Sequence, residues 1–221
     1  MTAIAKNNFD LVSPIYDALA GLVFAGKIRN SQIALLPKVA HVGSALVIGG
    51  GTGWFLLELL ARTRVRKVLY VELSKDMLDK SRRLIERNAP QWLDRVEFRL
   101  GSEESITAED GPFDLIATNF FLACFGDANC TQVVSRLHPH MARDGRWLFA
   151  DFVVPDRGLR RLSALILFKI MFTFFNIMSG LEARRPPRYE LGFQRIGLKP
   201  VTERRFYAHM IHVKLMANAA A

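Results

Sequence analysis

The chain has 221 residues, half of them hydrophobic, with thirty Lys and Arg against twenty-one Asp and Glu. That length suits a single domain, 1–221, and the apolar content builds a sizeable core, which excludes a disordered chain. The formal charge of +9 fits an anionic partner such as nucleic acid, a membrane surface or an acidic small molecule, although an evenly spread basic surface needs none.

Cys124 and Cys130 are the two cysteines. No CxxC or Cys/His ligand spacing surrounds them, so neither a disulfide framework nor a metal site is expected, and a reducing compartment is implied. Residues Met1 to Asp10 carry no positive segment followed by an apolar core, so a cytoplasmic protein is expected. Residues 1–40 read as short N-terminal helices: Asn8 to Ala25 has helical spacing interrupted by Pro14 and Gly21, and Lys27 to Leu36 is stopped by Pro37.

From Ala45 the pattern becomes regular. Ala45 to Ile48 is an apolar strand that meets the loop Gly49-Gly50-Gly51-Thr52-Gly53, and Trp54 to Arg62 reads as a helix. Val68 to Val71 is a second strand ending at Glu72, and Ser74 caps the next helix. Val96–Leu100, Phe113–Ala117 and Trp147–Val153 are further strands, with a helix from Ala128 to Met141 before the last. Alternating strands and helices imply a parallel sheet covered on both faces. Val201–Tyr207 and Met210–Leu215 are too close for a crossover and suit an antiparallel hairpin. The fold class is therefore α/β: a Rossmann-like, mostly parallel sheet with an antiparallel C-terminal hairpin, N-terminal helices and a helical lid insertion at 157–190.

The glycine loop carries the strongest chemical signal. Glycine lets the chain turn sharply from strand to helix and lets a ligand approach without a Cβ in the way. Glu72 stands about 20 residues further on, at the tip of the second strand, where an acid accepts ribose hydroxyls. A dinucleotide fingerprint is disfavoured because Trp54 occupies the position that needs a small residue beside a pyrophosphate. A phosphate-binding loop is excluded because no Gly-Lys-Ser/Thr follows.

Val47-Ile48-Gly49-Gly50-Gly51-Thr52-Gly53 resembles the first motif of the class I S-adenosylmethionine-dependent methyltransferases. Phe9-Asp10, Ser13-Pro14 and Tyr16-Asp17 are similar to the opening of their ubiquinone/menaquinone C-methyltransferase-like branch. The resemblance implies S-adenosylmethionine as cofactor. Gly49, Gly51 and Gly53, with Gly50 between them, would line its amino-acid end, Glu72 would take the ribose, Leu73 and Met77 would flank the adenine, and Tyr16 would cover it. Ser102 and Glu103 stand where that branch has an Asp reaching the adenine amine. Asn119 or Phe120 would place a backbone carbonyl near the methyl donor. Thr118-Asn119-Phe120-Phe121 departs from the Asn/Asp-Pro-Pro-aromatic motif of amino-group methyltransferases.

Methyl transfer needs a general base only when the acceptor must lose a proton. His138, His140, His209 and His212 suit surface or structural roles, which leaves Asp151, at the end of the fifth strand, as the weak catalytic candidate. Leu162 to Gly180 is broadly apolar with one charge, Lys169, and is flanked by Arg157, Arg160, Arg161, Arg184, Arg185 and Arg188. A membrane span there would interrupt the domain before its last strands, so a lid or interfacial helix is expected. The expected activity is methylation of a small lipophilic acceptor (quinone precursor, lipid or polyketide-like), with peripheral association at an anionic membrane. The alternatives are an RNA or protein methyltransferase using the basic run Arg62 to Lys67, and a non-catalytic nucleoside-binding protein. No separate nucleic-acid module is visible, so a nucleic-acid partner is not expected.

Overall fold

A computed structural model describes residues 26–219, without the side chains of residues 178 and 179. Seven strands form one sheet: β1 (Ser44–Ile48), β2 (Lys67–Glu72), β3 (Val96–Leu100), β4 (Phe113–Asn119), β5 (Met141–Phe152), β6 (Leu198–Phe206) and β7 (Ile211–Asn218). Their spatial order is β3-β2-β1-β4-β5-β7-β6. The first five run parallel, while β7 pairs antiparallel with both β5 and β6. The parallel sheet and terminal hairpin read from the sequence are both present.

The helices are α1 (Lys27–Ile33), α2 (Trp54–Arg62), α3 (Lys75–Asn88), α4 (Asp127–Leu137), α5 (Gly158–Ser179) and α6 (Tyr189–Arg195). β1 is apolar along its length because both of its faces are covered. One core gathers α2, α3 and α5 through Phe55, Leu59, Ile85, Phe168 and Phe172. The opposite core gathers α4 and α6 through Val133, Val134, Tyr189 and Phe193. Ser74 caps α3 by accepting from the Met77 amide at 3.2 Å, as its position before the helix requires.

Two elements differ from the sequence reading. β5 begins at Met141, since Met141 pairs with Phe113 and the register shifts before Leu115 pairs with Arg146. The extra residues around Asp144-Gly145 form an irregularity inside the strand, where turn chemistry suggested a boundary. α4 accordingly ends at Leu137. The short helix α6 was not read from the sequence; its Gly192 lies against Thr131 and Val134 of α4, an approach that a local pattern does not reveal.

Candidate active site

The C-terminal ends of β1, β2 and β4 open onto a cleft of about 1120 Å³. A pocket for one drug-sized ligand measures roughly 300–1,000 Å³, so this cleft exceeds the usual range for a single ligand. One half is polar and the other aromatic.

The polar half begins at the glycine loop. Gly49 and Gly51 have φ of +65° and +64°, a backbone conformation that side chains rarely adopt. A Cβ on Gly49 would meet the Phe121 ring at 2.4 Å, whereas one on Gly51 would point into open space. Gly49 is therefore required by packing, and Gly51 by its turn.

β2 fixes that turn from both sides. The Gly51 amide donates to Glu72 Oε2 at 2.9 Å, and the Tyr70 hydroxyl donates to the Gly51 carbonyl at 2.9 Å. Burial raises the Tyr70 pKa well above its ordinary value, and the neighbouring Glu72 charge adds to this, so the hydroxyl stays a donor. Glu72 Oε1 accepts from the Ser74 amide at 3.0 Å. Each carboxylate oxygen accepts more than one hydrogen bond, so Glu72, which lines the cleft, retains capacity for ligand hydroxyls.

Most of the site residues expected from the sequence converge on this cleft. Gly49, Gly50, Gly51, Glu72, Leu73, Met77, Ser102, Glu103, Asn119 and Phe120 all line it. Gly53 does not; it starts α2, and its Cα lies so near Ser81 of α3 that a Cβ would stand 2.8 Å from the Ser81 Cα. Tyr16 lies outside the described residues.

Glu103 is buried, with Oε1 accepting from Arg136 at 2.8 Å and Oε2 without a partner. Asn119 is also buried, and neither its amide oxygen nor its amide nitrogen is hydrogen-bonded. Buried polar groups normally find partners, so unpaired ones in a cleft wall indicate a polar ligand. S-adenosylmethionine fits: its ribose hydroxyls and amines offer donors to Glu72 and Glu103, and its carboxylate offers an acceptor to the loop amides. Phe120, with φ of +56°, turns the chain sharply after Asn119, and its amide donates to the Ala150 carbonyl at 2.7 Å. A non-glycine residue in that conformation costs about 1–3 kcal/mol, and such strain concentrates at functional sites.

The aromatic half is built by β4, β5 and α5. Ring contacts run from Phe120 to Phe152 (4.9 Å), Phe152 to Phe168 (5.5 Å) and Phe168 to Phe172 (6.4 Å). Met171, Phe172 and Phe175 of α5 line the cleft opposite Phe121 and Phe125. The sequence reading missed the cleft-facing side of α4, where Asn129, Gln132 and Arg136 stand at helical spacing. That polar stripe is the signal that marks them, although only the tertiary fold turns it toward the ligand.

Asp151 is fully buried and does not line the cleft. Its oxygens accept from the amides of Ala123 (2.9 Å) and Phe152 (2.8 Å), so it pins the turn after β4. Burial pushes its pKa up to about 7 against the opposing effect of those amides; the Tyr189 hydroxyl stands close enough to lower it without meeting hydrogen-bond geometry. Of the histidines, His138 Nε2 bonds Asn218 at 2.9 Å, away from the cleft. His212 faces Asp151 across the β5–β7 pair, and burial, then Arg205 and Lys214, lower its pKa to about 4. Burial also drives the Cys124 thiol up to about 12, which leaves this cleft-lining cysteine unreactive.

Comparison with known proteins agrees with this geometry. Residues 45–145 match the family described as methyltransferase domain. A demethylmenaquinone methyltransferase of Roseiflexus sp. (strain RS-1) is 28% identical over 167 residues, covering 66% of this chain and 67% of the relative. The mitomycin 7-O-methyltransferase structure superposes with a TM-score of 0.68 at 16% identity, over 96% of this chain and 60% of its own length. A 1,6-didemethyltoxoflavin N1-methyltransferase of Burkholderia thailandensis, solved with 1,6-didemethyltoxoflavin and S-adenosylhomocysteine, gives 0.65 at 18% identity, over 94% of this chain and 84% of its own. At such identities the structural likeness establishes the fold. The chain spans 60% of the mitomycin enzyme's length. Residues 45–145 therefore match a methyltransferase domain, set in the fold that the solved methyltransferases share.

Proposed function

We propose that the protein transfers the methyl group of S-adenosylmethionine to a small lipophilic acceptor, a quinone precursor, lipid or polyketide-like compound, and works peripherally at an anionic membrane. The observation that carries this reading is the aromatic half of the cleft, roofed by Met171, Phe172 and Phe175. The bound donor supplies a methyl carbon already activated by its sulfonium. The chain's residues orient it and exclude water: the Gly49–Gly51 loop and Glu72 grip the donor, and the phenylalanines dry the space beside it. The relatives above are named for demethylmenaquinone, mitomycin and 1,6-didemethyltoxoflavin, which supports a small-molecule acceptor.

An RNA or protein acceptor would have to use the basic run Arg62 to Lys67. That run precedes β2, at the opposite end of the strand from Glu72 and the cleft. The test is incubation of the protein with methyl-labelled S-adenosylmethionine, lipid extract and cellular RNA and protein. Label is expected in the organic phase. Label confined to RNA or protein would sink the proposal, as would donor binding without transfer to any extract.

A further inference from the structure

The roof helix α5 has two apolar sides, and the cleft uses only one. Ala164, Phe168, Met171 and Phe172 are buried against the domain. On the opposite side Leu159, Leu162, Ile166, Ile170 and Ile177 recur at intervals of three, four and seven, with exposures of 85, 57, 56, 65 and 76%. A 22-residue helix is about 33 Å long, so this is an extended apolar strip, interrupted at Thr173, rather than a scattered residue or two.

The charge around the strip is one-sided. Residues 157–188 hold seven Arg and Lys and one acid, Glu182. Arg157, Arg160, Lys169 and Arg184 are exposed, and no ion pair joins them to another described residue. Arg157 occupies the N-cap position without a side-chain capping bond, Arg160 and Arg161 fall in the first turn, and that turn contains no acid. The helix dipole disfavours cations there, so an external anion relieves the arrangement.

A second copy of the chain is a poor occupant. Arg157, Arg160 and Arg161 crowd the N-terminal end of α5, so parallel pairing brings like charges together. Among the described residues no helix is long and apolar enough to cross a membrane, and an exposed apolar strip with cationic flanks is the form of a helix lying in the interface plane.

We infer that the outer side of α5 docks on an anionic lipid bilayer, with Leu159, Ile166 and Ile170 in the acyl boundary and the arginines against lipid phosphates. The inner side then stays over the cleft, and a lipophilic acceptor reaches Phe172 and Phe175 from the bilayer. The delivery step rests on the function proposed above; the docking surface does not.

The test is flotation of the full chain, without acceptor, on vesicles of phosphatidylglycerol and phosphatidylcholine in equal parts. Binding is expected, and it should weaken when salt rises from about 0.1 M to about 1 M, which shortens the screening length from about 10 Å to about 3 Å. Arg157→Ala and Arg160→Ala should each cost about fivefold, equivalent to about 1 kcal/mol per cation at such a surface. Ile166→Asp combined with Ile170→Asp should cost more than about tenfold, since each charge must stay out of the acyl layer. Arg64→Ala with Arg66→Ala, on the far edge, should change nothing, and all variants should bind S-adenosylmethionine as the parent does.

Absence of binding at low salt, or full binding by the Ile166/Ile170 variant, overturns the inference. So does a lipid-free dimer that the same variant dissolves, which would assign the strip to a second copy. Resistance of Ile170→Cys to maleimide in the lipid-free monomer would assign it to residues 1–25 and also overturn it. Methylation of a detergent-dispersed lipophilic acceptor without vesicle binding would remove the docking and the membrane location, and leave the methyl transfer. Vesicle binding without any lipophilic acceptor would remove the proposed function and leave the docking.

Discussion

The Gly51 amide and the Glu72 carboxylate are joined by a 2.9 Å hydrogen bond across 21 residues of sequence, so the acid proposed to bind the ribose also shapes the loop proposed to hold the rest of the donor. The bond makes the two halves of the donor site interdependent.

Glu72→Ala should therefore weaken S-adenosylmethionine binding by about 2–3 kcal/mol, the combined effect of lost charge-assisted hydrogen bonds to ligand and loop. Gly51→Val has open space for its side chain but forces a β-branched residue to φ of +64°. It should lower both donor affinity and stability, the latter by more than about 1 kcal/mol. Titration calorimetry on the folded variants checks both, and unchanged affinity in the two would remove the assignment of this loop. NADH is expected to bind poorly, because Trp54 stands where a pyrophosphate site needs a small residue.

The roof can be tested separately from the floor. Phe172→Ser with Phe175→Ser should cut turnover on a lipophilic acceptor by about tenfold or more while leaving donor affinity within about twofold, since the donor binds at the loop. Phe172 is buried, so its truncation also costs about 3–5 kcal/mol of stability. The paired Phe→Leu variant keeps the apolar volume and should retain most activity. Equal turnover by the Ser and Leu variants, with both folded, would show that the rings do not touch the acceptor.

Asp151 makes stability depend on pH. Its pKa is raised by burial from an ordinary 3.8 to about 7, so its contribution is fully present below the unfolded value and is lost as pH rises through 7. His212 acts in the opposite sense. With its pKa lowered from 6.5 to about 4, its contribution is present above 6.5 and is lost as pH falls through 4. The two effects oppose each other between about pH 4 and pH 6.5, so with rising pH Asp151→Asn should gain melting temperature relative to the parent and His212→Gln should lose it. Calorimetric melting curves across that range decide it; parallel curves for Asp151→Asn and the parent would show that the buried carboxyl does not titrate there.

Among the described residues no three His, Cys, Asp or Glu side chains are grouped to hold a metal ion. Methyl transfer is accordingly expected to survive saturating EDTA. Loss of turnover in chelator, recovered with magnesium, would point to a carboxylate site formed with the acceptor.

The sequence by itself determined the architecture and the meeting of the glycine loop with Glu72 in one cleft. β1 and β2 are near-continuous apolar runs, the glycines break the first of them, and Glu72 ends the second. These are local facts, because strand burial, positive φ and an acid at a strand tip each follow from a few neighbouring residues. The tertiary structure alone decided the rest. Gly53 reads as a ligand contact but serves the packing of α2 on Ser81 of α3, a distance no spacing encodes. Asp151 reads as facing the ligand, yet the turn at Ala123 folds over it and takes its oxygens. Phe172 and Ile170 are equally apolar in sequence, and only the docking of α5 on Phe152 through Phe168 puts the first over the cleft and the second outside. Apolar composition is a property of the residue, whereas the side that gets buried depends on what the fold brings against it.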